Sequence, residues 1–119
     1  MTPTYINPRD LAHRSDAVVW NGVAYLPGVM PRDGSATLTE QTRDVLAQID
    51  ALLALAGTSK DMLLTATIWM NNVKHDAAGF NAVWNEWLVS GRKPVRACIE
   101  SSFQIPGLME VMVTAAVPA

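Results

Sequence analysis

The chain has 119 residues, half of them hydrophobic and 17% charged, with a formal net charge of −2 at pH 7. This fits one domain over 1–119 with enough apolar surface for a core, and it leaves no basic footprint for nucleic acid. One cysteine excludes an intramolecular disulfide framework and suits a reducing, cytoplasmic setting; neither a secretory leader nor a membrane-length apolar run is evident.

Residues 1–14 are polar, carry Pro3 and Pro8, and are expected to lie along the surface. Two short apolar runs, 17–20 and 23–26, are joined by Asn21-Gly22. Both turn residues tolerate positive φ, so this pair predicts a β-hairpin. The stretch 27–36 holds two prolines and two glycines and is expected as loop. Thr37 and Glu40 have the spacing of a capping box at a helix start. Val45, Ile49, Leu52, Leu53 and Ala56 then recur at helical spacing, and Gly57 is placed to end the helix.

The run MLLTATIWM, 62–70, is apolar and β-branched and predicts a central strand buried on both faces. Asn71-Asn72 breaks it. A second helix is predicted over about 76–89, with Phe80, Val83, Trp84, Trp87 and Leu88 as its apolar stripe and Gly91 beyond its end. Gly79 weakens its start. Two strands follow, 94–101 and 109–117. The order β-β-α-β-α-β-β predicts an α+β fold, a mixed sheet with both helices packed on one face.

The strand PVRACIES, 94–101, carries Val95, Ala97 and Ile99 on one face and Arg96, Cys98 and Glu100 on the other. With helices on one side, the polar set is expected on the open face beside Glu110, Met112 and Thr114. Two bland explanations outweigh a catalytic one on pattern alone: a wetted Arg96–Glu100 ion pair, or a face covered by another subunit. The sharper possibility is that Arg96 clamps a substrate carboxylate with its planar fork of donors.

Other polar groups carry less. His13 and His75 have no metal-ligand spacing and are expected to be solvated, so no metal site is predicted. Cys98 has no histidine predicted nearby to act as base, which disfavours a thiol nucleophile. Trp84 and Trp87 read as core, and Trp20 and Trp69 as strand packing. The segment 28–34 has no phosphate-binding glycine pattern. Asp10, Asp16 and Asp33 read as turn or cap residues.

The motif G-x-x-P-V-R-A-C, followed by M-E-V-M-V-T-A-A-V, resembles the RidA/YjgF family of reactive-intermediate enamine/imine deaminases. T-R-D-V-L-A-Q-I-D-A-L-L-A-L-A-G resembles its first helix, L-L-T-A-T-I-W-M its middle strand, and Asn81 before Trp84 its second helix. The likeness covers 15–117, with the YoaB-like branch favoured by WLVSGRKPVR. It implies a chorismate-mutase-like fold and a homotrimer with sites at the subunit interfaces. It also implies cofactor-free hydrolysis of 2-aminoacrylate and related imino acids to 2-keto acids and ammonia. By that resemblance Arg96 is the carboxylate clamp, Cys98 holds the substrate nitrogen largely through its backbone, and Glu110 positions or activates water. Gly28 and Arg14 join the substrate-binding set.

Three features depart from the family pattern. Pro27 stands where a serine or threonine often precedes the glycine, removing a hydroxyl and an N–H together. Arg14 aligns with a tyrosine of active deaminases. The loop after Arg96 is also one residue shorter. A final hairpin turning at Pro106-Gly107 would put Glu110 opposite Ser102, about 20 Å along the strand from Arg96 at ~3.3 Å per residue. The resemblance requires a turn near Gln104, with Glu110 facing Cys98. The alternative function is a non-catalytic trimeric protein binding small carboxylates such as 2-keto acids. RNA cleavage ranks last on charge.

Overall fold

The computed structural model describes residues 1–119. Nine elements follow in order: strands β1 (Thr4–Ile6), β2 (Ala17–Trp20) and β3 (Val23–Tyr25), helix α1 (Leu38–Leu55), a 3-10 turn (Lys60–Met62), β4 (Leu63–Met70), α2 (Val73–Trp87), β5 (Val95–Glu100) and β6 (Met109–Ala116). The strands form one sheet in the order β1-β2-β3-β6-β4-β5. The expected order lacks one strand. Residues 4–6, within the segment expected only to lie on the surface, pair antiparallel with β2.

Local chemistry sets the element ends. Asn21 (φ 51°) and Gly22 (φ 75°) close the β2–β3 hairpin in the left-handed conformation that matches strand twist. Thr37 accepts from the Glu40 amide while the Glu40 side chain accepts from the Thr37 amide, completing the capping box. At the other end Gly57 (φ 86°) sends its N–H to Ala54 O, and Thr58 N–H reaches back to Leu53 O. That pair of bonds is a Schellman stop, which uses glycine's freedom at positive φ. Helix α2 starts at Val73 and is capped by Asn72, whose side chain accepts from the His75 amide, so it begins earlier than the predicted 76. Gly79 sits where a Cβ would come 2.6 Å from Leu38 Cδ2, so it lets α2 approach the start of α1.

Both helices cross over between parallel strands, β3 to β4 and β4 to β5, and so lie on one face of the sheet. The core fills the space between. It joins Val45, Ile49 and Leu53 of α1 and Phe80, Val83 and Trp84 of α2 to Ala66, Ile68 and Met70 of β4 and Met109, Val111 and Val113 of β6. Trp87 donates its indole N–H to the Asp50 carboxylate at 3.1 Å, tying α2 to α1 at the solvent edge.

Two expectations about the strands fail. There is no final hairpin. β5 pairs in parallel with β4, and β6 pairs antiparallel with the other side of β4. Neither the turn at Pro106-Gly107 nor the one near Gln104 applies. Segment 101–108 instead arches over the end of β4, where Ser101 N–H bonds to Met70 O and Asn71 N–H to Leu108 O. It must step across two strand spacings, about 10 Å, which a tight turn cannot do. β4 is also buried on one face only. Ala66, Ile68 and Met70 face the helices, whereas Thr65 is exposed and Thr67 and Trp69 are half-exposed on the open face.

Candidate functional site

The sheet has one end where the carboxyl ends of β3, β4 and β5 meet the start of β2 and β6. A cleft of about 870 Å³ opens there. Its walls are the loop before β2 with Arg9, His13 and Arg14, the turn after β3 with Pro27 and Gly28, and the arch 101–105. Trp69 and Glu110 form part of its lining, and it extends along α1 past Gln48 and Leu52.

Each wall has a local cause. After β3, Leu26 N–H bonds to Val113 O and Val29 pairs with Val111. Tyr25 pairs with Thr114, so the chain spends one extra residue on that side and bulges at Pro27-Gly28. Such bulges fit a proline that cannot donate to the ladder and a glycine that a neighbour approaches closely. The neighbour is Glu110. A Cβ on Gly28 would stand 2.1 Å from Glu110 Oε2. Glu110 itself is opposite Trp69 in the β4–β6 ladder and belongs to none of the chain's four ion pairs.

The loop before β2 is braced by Asn7, whose amide bonds both the N–H and the carbonyl of Leu11 at 2.9 and 3.1 Å. It carries Arg9 and Arg14 to one carboxylate. Arg9 grips Asp16 in a bidentate pair at 3.1 and 2.5 Å, and Arg14 adds a bond at 3.1 Å. Asp16 is 2% exposed, so it is a buried anchor rather than a simple turn residue. The Arg9 hydrogen bond is the largest cause holding its carboxyl below the usual range; burial opposes it and Arg14 adds to it. Arg9 is correspondingly raised, chiefly by its hydrogen bond to Asp16.

The arch is fastened from below. Gln41 of α1 is 1% exposed. Its amide nitrogen donates to Gly34 O and Ala36 O at 3.2 and 2.8 Å, and its carbonyl accepts from Leu108 N–H at 2.8 Å. Gly34 lies against the Pro106 carbonyl so closely that a Cβ would come within 2.4 Å of the oxygen.

The five residues singled out in the sequence divide into two groups. Arg14, Gly28 and Glu110 share the cleft. Arg96 and Cys98 do not. Arg96 pairs with Ala66 and Cys98 with Ile68, both helix-facing positions, so the expected faces of β5 are inverted. Arg96 bonds Asn81 Oδ1 at 2.8 Å, and its guanidinium lies 5.8 Å from the Trp84 ring centroid. Cys98 is half-buried against the core. Glu100 accepts from the Val73 amide at the start of α2, where the helix favours an anion, so there is no Arg96–Glu100 ion pair. Val95, Ala97 and Ile99 take the open face instead. Sequence reasoning missed Arg9, Trp69 and the arch as cleft walls; the one local hint for Trp69 was its alternation with Thr65 and Thr67. His13 is exposed, as expected, yet stands on the cleft rim.

The architecture, two helices layered on one face of a six-stranded mixed sheet with a cleft at the sheet end, defines the YjgF-type fold class. A crystal structure of a YjgF-family member from Neisseria meningitidis superposes with a TM-score of 0.92 at 38% identity, covering 100% of this chain and 98% of that one. The RutC family protein YoaB of Escherichia coli K12 is 39% identical over 107 residues, 89% of this chain and 92% of its own. A RutC family protein of Haemophilus ducreyi is 36% identical over 110 residues, 91% of this chain and 93% of its own. The sequence model of the family described as endoribonuclease L-PSP matches residues 6–117. The chain belongs to this RidA/YjgF family.

Proposed function

We propose that this protein hydrolyses small enamine and imine acids of the 2-aminoacrylate type to 2-keto acids and ammonia, at sites shared between the subunits of a homotrimer. One observation carries this reading. Arg96 and Glu110 lie on opposite faces of the same sheet, and neither is spent on an ion pair. A clamp and an acid/base on opposite faces meet one small substrate only when a second chain brings its Arg96 to the cleft. The open face supports such an assembly, because Val95 and Ile99 are 72% and 49% exposed and Met112 42%.

In this scheme the enamine first tautomerises, moving a proton from nitrogen to the terminal carbon to give the imine. Arg96 of one subunit holds the carboxylate through parallel N–H bonds, leaving the imine carbon beside Glu110 of another. The Glu110 carboxylate takes a proton from water as the oxygen adds to the imine carbon, and the proton passes to nitrogen. The hydroxyl proton of the resulting carbinolamine then passes to the amino group by way of Glu110, the C–N bond breaks, ammonia leaves and the carbonyl forms. One water is consumed, one ammonia is released, and no electrons are exchanged, so no cofactor is required.

Generating 2-aminoacrylate from serine with a dehydratase and following pyruvate release tests the activity. Accelerated release is expected for the wild type and loss of it for Arg96→Ala and Glu110→Gln. Mixing the two inactive variants and letting subunits exchange is expected to restore part of the activity, since some sites then combine an intact Arg96 with an intact Glu110. No acceleration with any imino acid would favour the second reading, a carboxylate-binding protein without turnover. Pro27 is the observation on that side, since it removes an N–H from the bulge beside Glu110. Ribonuclease action, in the description of the matching family, is disfavoured by a net charge of −2.

A further inference from the structure

Three of the chain's six arginines, Arg9, Arg14 and Arg32, line this same cleft, although the chain as a whole is net negative. Pairing within the chain accounts for two of them. Arg32 is bound to Asp44 at 2.8 Å, and Arg9 fills both oxygens of Asp16. Arg14 is left over. It spends one nitrogen, Nη1, on Asp16 and on the Ser15 carbonyl, and its side chain stays 40% exposed. A guanidinium has five N–H donors in a rigid fork, so one edge of Arg14 remains unpartnered. The single carboxylate of Asp16, shared with Arg9, anchors the Arg14 guanidinium but cannot neutralise both cations. The cleft therefore contains one fixed surplus cation and one surplus carboxylate, Glu110.

We infer that the cleft selects substrates with two carboxylates, imino or keto dicarboxylic acids of four or five carbons, with Arg14 holding the carboxylate remote from the reacting carbon. The inference rests on the reading above, in which Arg96 of a neighbouring subunit takes the carboxylate next to the imine. A substrate with a single carboxylate leaves Arg14 facing water. One with two satisfies both guanidinium forks. Glu110, which belongs to no ion pair, repels a second carboxylate and so disfavours its binding beside the reacting carbon.

The test measures binding of stable keto acids to the full-length protein by calorimetry: oxaloacetate and 2-oxoglutarate against pyruvate and 2-oxobutanoate. The dicarboxylates are expected to bind at least about tenfold more tightly. Arg14→Gln should erase that preference by lowering the affinity for the dicarboxylates to that for pyruvate, and Arg14→Lys should restore part of it. Circular dichroism confirms that each variant folds; Arg14→Lys, which keeps the charge beside Asp16, guards against a folding artefact. Equal or weaker binding of the dicarboxylates, a preference that survives Arg14→Gln, or no binding of any keto acid would overturn the inference. Its failure is separable from that of the deaminase. Turnover of 2-aminoacrylate without a dicarboxylate preference leaves the deaminase standing and removes this inference. An Arg14-dependent dicarboxylate preference without turnover does the reverse.

Discussion

Asp16 is a carboxylate buried against two guanidinium groups, and its environment sets the sign of its pH dependence. The folded state lowers its pKa, chiefly through the Arg9 hydrogen bond. Its contribution to stability is thus fully present above the unfolded value, about 3.9. It is lost as pH falls from there through the lower folded value. Asp16→Asn keeps the shape, removes the charge and leaves both arginines facing an amide. We expect it to cost about 2 kcal/mol at neutral pH and to converge with the wild type in acid, measured by urea unfolding at several pH values. Gly28 makes a contrasting case. An alanine there collides with the end of the Glu110 side chain, a flexible group that can swing aside. Gly28→Ala is therefore expected to change stability by under about 1 kcal/mol yet to lower turnover more than tenfold, because the displaced carboxylate is the proposed acid/base. Thermal melts and the pyruvate assay, run together, separate the two effects.

At the scale of elements, the features legible in the sequence are those decided by neighbours a few residues away. The Asn21-Gly22 turn, the Thr37–Glu40 box and the Gly57 stop each involve one short stretch of chain, and all three form as read. The faces of β5 were not legible. Polarity assigned Arg96, Cys98 and Glu100 to the open side, but α2 supplies Asn81, Trp84 and its own amino end to receive Arg96 and Glu100. Those partners are 12 to 27 residues away and no pattern within β5 reveals them. The cleft divides in the same manner. Arg14, Gly28 and Glu110 were singled out through resemblance, whereas Arg9, Trp69 and the arch enter it through long-range register. Gln41 is the strongest such link, since a buried amide on α1 fixes the arch and the 34–36 turn at once. Gln41→Leu is near in volume but orphans two carbonyls and one N–H. A loss of about 2–4 kcal/mol is expected, together with faster hydrogen exchange at Leu108, measurable by amide exchange.

At the scale of the whole molecule, one face of the sheet is closed by helices and the other is left with apolar side chains in water. Val95, Ile99, Met112 and Tyr25 are 72%, 49%, 42% and 45% exposed, and Val95 and Ile99 sit on the edge strand. A wetted face gains nothing from this composition, whereas burial against other copies removes the apolar area from solvent; in the proposed trimer the edge strand β5 carries Arg96 of one chain to Glu110 of another. The assembly and the proposed chemistry are thus coupled, and one substitution tests the coupling. Ile99→Asp places a charge on the open face without touching the helix-side core. It is expected to leave the circular dichroism spectrum unchanged, to shift the protein from trimer to monomer in sedimentation, and to abolish turnover although Arg96, Glu110 and Arg14 are all intact. A monomer that still hydrolyses 2-aminoacrylate would mean that one chain holds the entire site, and Arg14 would then replace Arg96 as the carboxylate clamp.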